Sequence, residues 1–252
     1  MIRGLYTSAV GMTTQMRKMD VITNNIANAD TTGFRRDGVI TQTFEDQLFR
    51  RLDANPINSS VGSMAMGVSV NELWTDFSMG NLRETGGTLD IALGGTGFFV
   101  VNSVDTAGNV SERLTRSGTF TLSPGNTLMT LGGDIVMGEN GPIQIPNGEI
   151  YIDARGDIFS NEVFVDRLAV VDFENRESLR KFGNNLFFST EDSIPTPFNG
   201  SVLQGVLESS NVSSINEMVD MIALSRLFET NQRMINIHDT TLQRAVNDIG
   251  RK

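Results

Sequence analysis

Apolar residues recur at helical spacing toward both ends of the chain and at strand spacing between them. Leu5, Met12, Met19 and Ile26 stand seven apart, with Ala9, Met16 and Thr23 interleaved at the four-three offset. This is a heptad seam, and it predicts a helix about 40 Å long. The helix is expected to stop between Asp30 and Gly33, where Thr31-Thr32-Gly33 supplies β-branched residues and then a C-terminal glycine. Toward the other end, Met221, Phe228, Ile235, Leu242 and Ile249 again repeat every seven residues, with Met218, Ile222, Leu224, Ala245 and Val246 beside them. Ser214-Ile215-Asn216-Glu217 reads as a capping box, and Glu229–Arg233 and Asp248–Lys252 as helix-supporting pairs. A second helix of about 50 Å is predicted there.

Between the helices the period changes. "LDIALGGTGFFVVN", "RLTRSGTFTLSPG", "GPIQIPNGEIYIDARGDIFS" and "DRLAVVDFEN" are short β-rich runs punctuated by Gly, Pro, Asn and Asp. They predict an antiparallel barrel or sandwich-like domain. Ile150, Ile152, Ile158 and Phe159 flank a polar turn that reads as a hairpin. The fold class expected is α+β and discontinuous. Its parts are a helix over 1–33, a connector with short strands over 34–75 that includes Asn55-Pro56 and "SSVGSMAMG", a β-rich domain over 76–209, and a helix over 210–252.

Charge sharpens this division. Residues 1–75 hold seven acids and seven bases, and residues 210–252 hold five of each; the middle holds eighteen acids against eight bases, which is the whole net charge of −10. An acidic centre argues against nucleic acid and anionic membrane as partners. No apolar run is long enough to span a bilayer, and the opening residues lack the apolar core of a conventional secretory signal. The chain has no cysteine and one histidine, His238. Thiolate chemistry is thereby excluded, and a histidine-based metal site or triad is hard to build.

Two matching seams most simply pair with each other. Periodicity alone favours an intramolecular helical hairpin, yet two helices leave much of such wide apolar faces wet. Methionine recurs on them (Met12, Met16, Met19, Met218, Met221, Met234) and tolerates variable packing partners. Neutral ends flanking a self-repelling acidic centre favour the second reading, in which the helices form the shared core of an assembly of many copies.

Several of these stretches also carry a resemblance. "MIRGLYTSAVGM" and "MDVITNNIANADTTGFRRD" resemble the amino-terminal signature of bacterial flagellar axial proteins, the rod and hook subunits. "LDIALGGTGFFVV" is similar to their central motif, "TRSGTFTLSPGNTL" to the strand-turn-strand after it, and "GVLESSNVSSINEMVDMIALSRLFETNQRMINIHDTTLQ" to their carboxy-terminal helix and its entry. Length and opening motif look most like the basal-body rod proteins, distal before proximal, rather than the longer hook subunits. The resemblance implies a non-enzymatic subunit that stacks helically into a hollow, torque-bearing shaft. Its implied partners are further copies, other rod and hook proteins, the ring or bushing proteins around the rod, and the flagellar export apparatus, with no cofactor. Residues expected to assemble are Leu5, Met12, Met16, Met19, Ile26, Met221, Phe228, Ile235, Leu242 and Ile249 on the seams. Asn24, Asn25, Asn28, Thr32, Gly33 and Phe34 join them from the first helix and its exit. There the three asparagines offer amides to neighbouring copies, Phe34 anchors the exit, and Arg35-Arg36 meet acids of an adjacent subunit.

Other signals point to ordinary structure. Gly94-Gly95-Thr96-Gly97 lacks the lysine and hydroxyl of a phosphate loop and is expected to be a turn. Asp153 and Asp157 with Arg155 bracket a hairpin turn rather than a calcium site, and no chemistry is assigned to His238. Two rival classes remain. One is a soluble binding module with an intramolecular helical hairpin; the other is a glycoside hydrolase, which needs a facing carboxylate pair that the sequence does not display.

Overall fold

The computed structural model describes residues 2–43, 47–50, 60–64, 67–104, 108–183 and 185–249, with side chains given for 4–43, 67–104, 108–183 and 185–247. The Asp248–Lys252 pair, the side chain of Ile249 and the Asn55-Pro56 part of the connector lie outside them. Two helices bound the molecule in sequence, α1 over Ile2–Ala27 and α2 over Ser214–Ile249. The chain folds as two units. One contains 1–26, 37–74 and 214–252, and the other 27–36 and 75–213.

In the helical unit, Asp37–Thr43 pairs with Val68–Thr75, and Gln47–Arg50 forms an antiparallel ribbon with Ser60–Met64. The first of these ribbons lies against α1. The Thr14 hydroxyl donates to the Val68 carbonyl at 2.7 Å, and a Cβ added at Gly67 would stand 3.3 Å from Val10.

The β unit is antiparallel in every pairing described, as the short punctuated runs predicted. Its ten-stranded sheet runs in the order Arg180–Phe182, Leu186–Phe188, Val110–Thr115, Phe98–Val104, Ile135–Gly138, Leu128–Thr130, Phe120–Leu122, with the remaining strands branching from that path. Phe98–Val104 sits centrally, and its continuous apolar run is the mark of a strand covered on both faces. Phe99 and Val101 enter a core with Phe120, Leu128, Val136 and Ile158. Phe98 and Val100 enter another with Leu114, Phe173 and Phe187. The predicted hairpin is present, with Ile150 opposite Ser160 and Ile152 opposite Ile158. Its turn is closed by Gly156 N–H donating to Asp153 at 2.8 Å, and Asp157 pairs with Arg167 rather than Arg155.

The first helix departs from expectation at its exit. It ends at Ala27, short of Asp30, and two successive turns follow, Thr31 N–H to Asn28 and Phe34 N–H to Thr31. Gly33 is therefore not the helix's C-terminal glycine. It takes φ +69° inside the loop, where a Cβ would lie 2.5 Å from the Arg116 backbone.

Gly118 shows the same demand for close approach. A Cβ there would fall 1.5 Å from the Ile91 carbonyl oxygen, while the Gly118 carbonyl accepts from Ile91 N–H at 3.0 Å. Gly118→Ala must push the segment entering Phe120–Leu122 away from the strand that begins at Ile91, and we expect it to cost about 2 kcal/mol or more. Thermal unfolding followed by circular dichroism checks this, with a midpoint lowered by roughly 5 °C or more.

Candidate assembly interface

Seven-residue steps govern where the two helices touch. A Cβ added at Gly4 would stand 2.4 Å from His238, and one at Gly11 would stand 3.2 Å from Asn231. Asn25 donates to Glu217 at 3.3 Å. Each advance along α1 is matched by an equal retreat along α2, so the helices meet antiparallel and in constant register. Glycine inside a helix costs about 1 kcal/mol relative to alanine; at positions 4 and 11 it makes room for side chains of α2. An isolated glycine in a helical pattern is a packing signal, and two of them seven apart mark this contact line in the sequence.

Asn25 is the polar node of that line. Its side chain is buried, donates to the Asp37 carbonyl at 2.8 Å and accepts from Asp37 N–H at 3.0 Å. The amide expected to serve a neighbouring copy is thus engaged within its own chain. Glu217, read from sequence as part of a local cap, also takes the Asn25 amide from the other helix. Asn28 accepts from the Thr31 hydroxyl at 3.3 Å, and Asn24 is exposed.

The apolar stripe lies beside the contact line. Leu5, Met12, Met19 and Ile26 are half-buried, and Met16 is exposed. Three of them follow Gly4, Gly11 and Asn25 by one residue, a rotation of about 100°. On α2, Met221, Phe228, Ile235 and Leu242 interleave with Glu217, Asn231 and His238 and are half-buried. Further apolar side chains lie outside the heptad positions, Ile222 alone among them being expected beside the seam. Ile215, Val219, Ile222 and Ile237 are 75%, 59%, 55% and 57% exposed, in line with the exposed arginines Arg226, Arg233 and Arg244. At 100° per residue Ile215, Val219 and Ile222 fall roughly opposite Glu217, on the side of α2 away from α1, while Ile237, one residue from His238, lies beside the contact line.

In the β unit, the loop after α1 is held by a buried charge network. Glu208 lies between two guanidinium groups, with Arg35 Nη1 at 2.7 Å and Arg116 Nε at 2.5 Å. All three side chains are almost fully buried. Gly80 N–H donates to the Glu208 carboxylate at 2.8 Å, and Arg35 donates to the Ser78 carbonyl at 2.7 Å. Arg116 also donates to the carbonyls of Leu93, Gly95 and Gly97, so the Gly94–Gly97 turn is a carbonyl cradle for a guanidinium. Burial pulls the Arg116 guanidinium below its ordinary value, against the opposing pull of Glu208.

Thr32, Gly33 and Phe34 complete the seat. The Thr32 hydroxyl bonds to those of Ser117 and Thr119, and Gly33 N–H donates to the Glu208 carbonyl at 2.8 Å. Phe34 is fully buried beneath the Lys181 ammonium, 3.9 Å from its ring centroid. Arg35 was expected to reach an acid on another subunit and instead meets Glu208 of its own chain. Sequence reasoning missed Glu208 and Arg116. For Glu208 the available signal was a charge closing the apolar strand run "GVL"; Arg116, in the polar run "RLTR", gave none.

Among the described residues, no group of three or more His, Asp or Glu side chains is placed to hold a metal ion. No helix among them is long and apolar enough to cross a membrane.

Two family models match the chain. Residues 5–35 match "Flagella basal body rod protein", and residues 203–248 match "Flagellar basal body rod FlgEFG protein C-terminal". The chain is 34% identical to the flagellar basal-body rod protein FlgG of Buchnera aphidicola subsp. Schizaphis graminum, over 97% of this chain and 98% of that protein. It is 32% identical to the flagellar basal-body rod protein FlgF of Caulobacter vibrioides, over 96% and 97% respectively. With the flagellar hook-basal body complex protein FlhO of Bacillus subtilis it shares 30% identity over the full length of both.

Replacing Glu208 by alanine strands two buried guanidinium groups. We expect Glu208→Ala to lower the stability of the β unit by about 3–5 kcal/mol, read as a lower midpoint in urea.

Proposed function

We propose that this chain, which belongs to the flagellar basal-body rod protein family, polymerises through its two terminal helices into the drive shaft of the flagellum. As a member of that family it is a structural, non-catalytic component of the bacterial flagellum basal body, associated with the other components there. The finer reading concerns how it assembles. Helices α1 and α2 pair as a short antiparallel coiled coil through the Gly4, Gly11 and Asn25 line. Copies then stack helically, burying what each pair leaves in water, and torque passes along the shaft to the hook through those buried faces. Export through the flagellar apparatus, and contact with ring proteins around the rod, belong to the same reading.

One observation carries it. Helix α2 carries exposed apolar side chains outside its contact with α1, interspersed with Arg226, Arg233 and Arg244. Helix α1 covers only part of the surface of α2, leaving Ile215, Val219, Ile222 and Ile237 exposed. Exposed apolar side chains grouped at the start of α2, Ile215, Val219 and Ile222 with Met218, are what a neighbouring copy would cover. The half-buried Met221, Phe228, Ile235 and Leu242, with Leu5, Met12, Met16, Met19 and Ile26, are the residues that neighbouring copies would finish covering.

Phe228→Asp and Ile222→Asp each place a charge on such a surface. Both variants are expected to keep the thermal midpoint of the β unit while abolishing polymers. In basal bodies imaged by electron microscopy, either variant should give a shaft that stops early and carries no hook. Full-length rods built from both variants would sink the reading.

A further inference from the structure

The small sheet of Ile150–Ile152, Asp157–Ser160 and Val163–Arg167 has an unusual outer face. Its inner face sends Ile152 and Ile158 into the core. An antiparallel sheet with one covered face ordinarily presents polar side chains on the other. Here Tyr151 stands opposite Phe159, and Phe159 opposite Phe164, forming a row of rings across all three strands. Ring centroids are 6.3 and 5.9 Å apart. Tyr151 is 59% and Phe164 51% exposed. Contact between the rings stabilises the sheet, but that contact does not require their outer faces to remain in water.

Carboxylates surround the row. Exposed Glu149 and Glu162 lie at one end, brought together where Asn161 N–H donates to the Glu149 carbonyl at 3.0 Å. At the other end Asp157 and Glu139 share Arg167 at 2.5 and 3.5 Å. The rim thus carries an excess of acid, within the region that holds the whole net negative charge of the chain.

We propose that this aromatic row is a docking surface for a basic segment of a different protein. Arginine or lysine side chains of that partner lie over Tyr151 and Phe164 while their head groups reach Glu149 and Glu162. A cation is attracted to the face of an aromatic ring, and the acidic rim disfavours anionic ligands. The β unit uses the same chemistry internally, with Lys181 over Phe34 and Arg113 over Phe182 at 3.9 and 4.5 Å. This surface is separate from the helical faces invoked for polymerisation, and its test does not depend on them.

The probe is a synthetic peptide of alternating arginine and serine, titrated calorimetrically into the full chain. A glutamate–serine peptide and a chito-oligosaccharide serve as comparators. Tyr151→Ser/Phe164→Ser keeps every charge and is expected to weaken arginine-peptide binding about tenfold. Tyr151→Leu/Phe164→Leu preserves apolar packing and should weaken it by a similar factor. Glu149→Gln/Glu162→Gln keeps the rings and should weaken binding roughly threefold, with a shallower salt dependence. Unchanged binding in the leucine variant overturns the proposal, since net charge alone then suffices. The proposal also fails if only the oligosaccharide binds, or if sedimentation shows self-association that the ring variants abolish.

Discussion

The buried Arg35–Glu208–Arg116 network is the interaction on which the β unit depends. A carboxylate removed from water is costly unless it is paired and fully hydrogen-bonded. Glu208 meets that condition with two guanidinium groups and the Gly80 amide. Each member comes from a different part of the sequence: the loop after α1, the strand run ending in "RLTR", and the segment before α2. Remove one and the others are left charged in a dry interior. Arginine rather than lysine suits both cationic positions, because a planar fork serves a carboxylate and several carbonyls together. Arg116 uses that capacity on Leu93, Gly95 and Gly97.

Around the network, small residues and hydroxyls do the fitting. Gly33 lies too close to the Arg116 backbone for a side chain, and its N–H donates to the Glu208 carbonyl. Thr32 joins Ser117 and Thr119, and Asn185 donates to the Thr32 carbonyl at 2.8 Å. Phe34 then fills the remaining apolar space under Lys181. The polar loop after α1 is therefore an inward-facing part of the β unit, although its composition is that of a surface turn.

The helical unit follows a different economy. Its contacts use glycine, asparagine and glutamate at the tightest points, and leave larger apolar side chains half-covered or exposed. A buried asparagine fixes register better than it adds stability. Such a seam aligns two helices without exhausting their apolar surface, which suits a subunit whose helices serve an assembly.

The sequence by itself determined what periodicity and turn chemistry dictate. Heptads gave two helices, the run "GFFVV" gave a strand, and "DARGD" gave a hairpin turn, because each follows from side-chain direction over a few residues. Tertiary structure alone decided which buried charges meet. Arg35 looks as free to reach another subunit as its own chain, until folding brings Glu208 to within 2.7 Å. It also decided that Asn25 faces Glu217, and that Gly4 and Gly11 admit α2. Pairings between residues some two hundred positions apart leave no local period to read, since only the packed fold sets their distance and the dielectric between them.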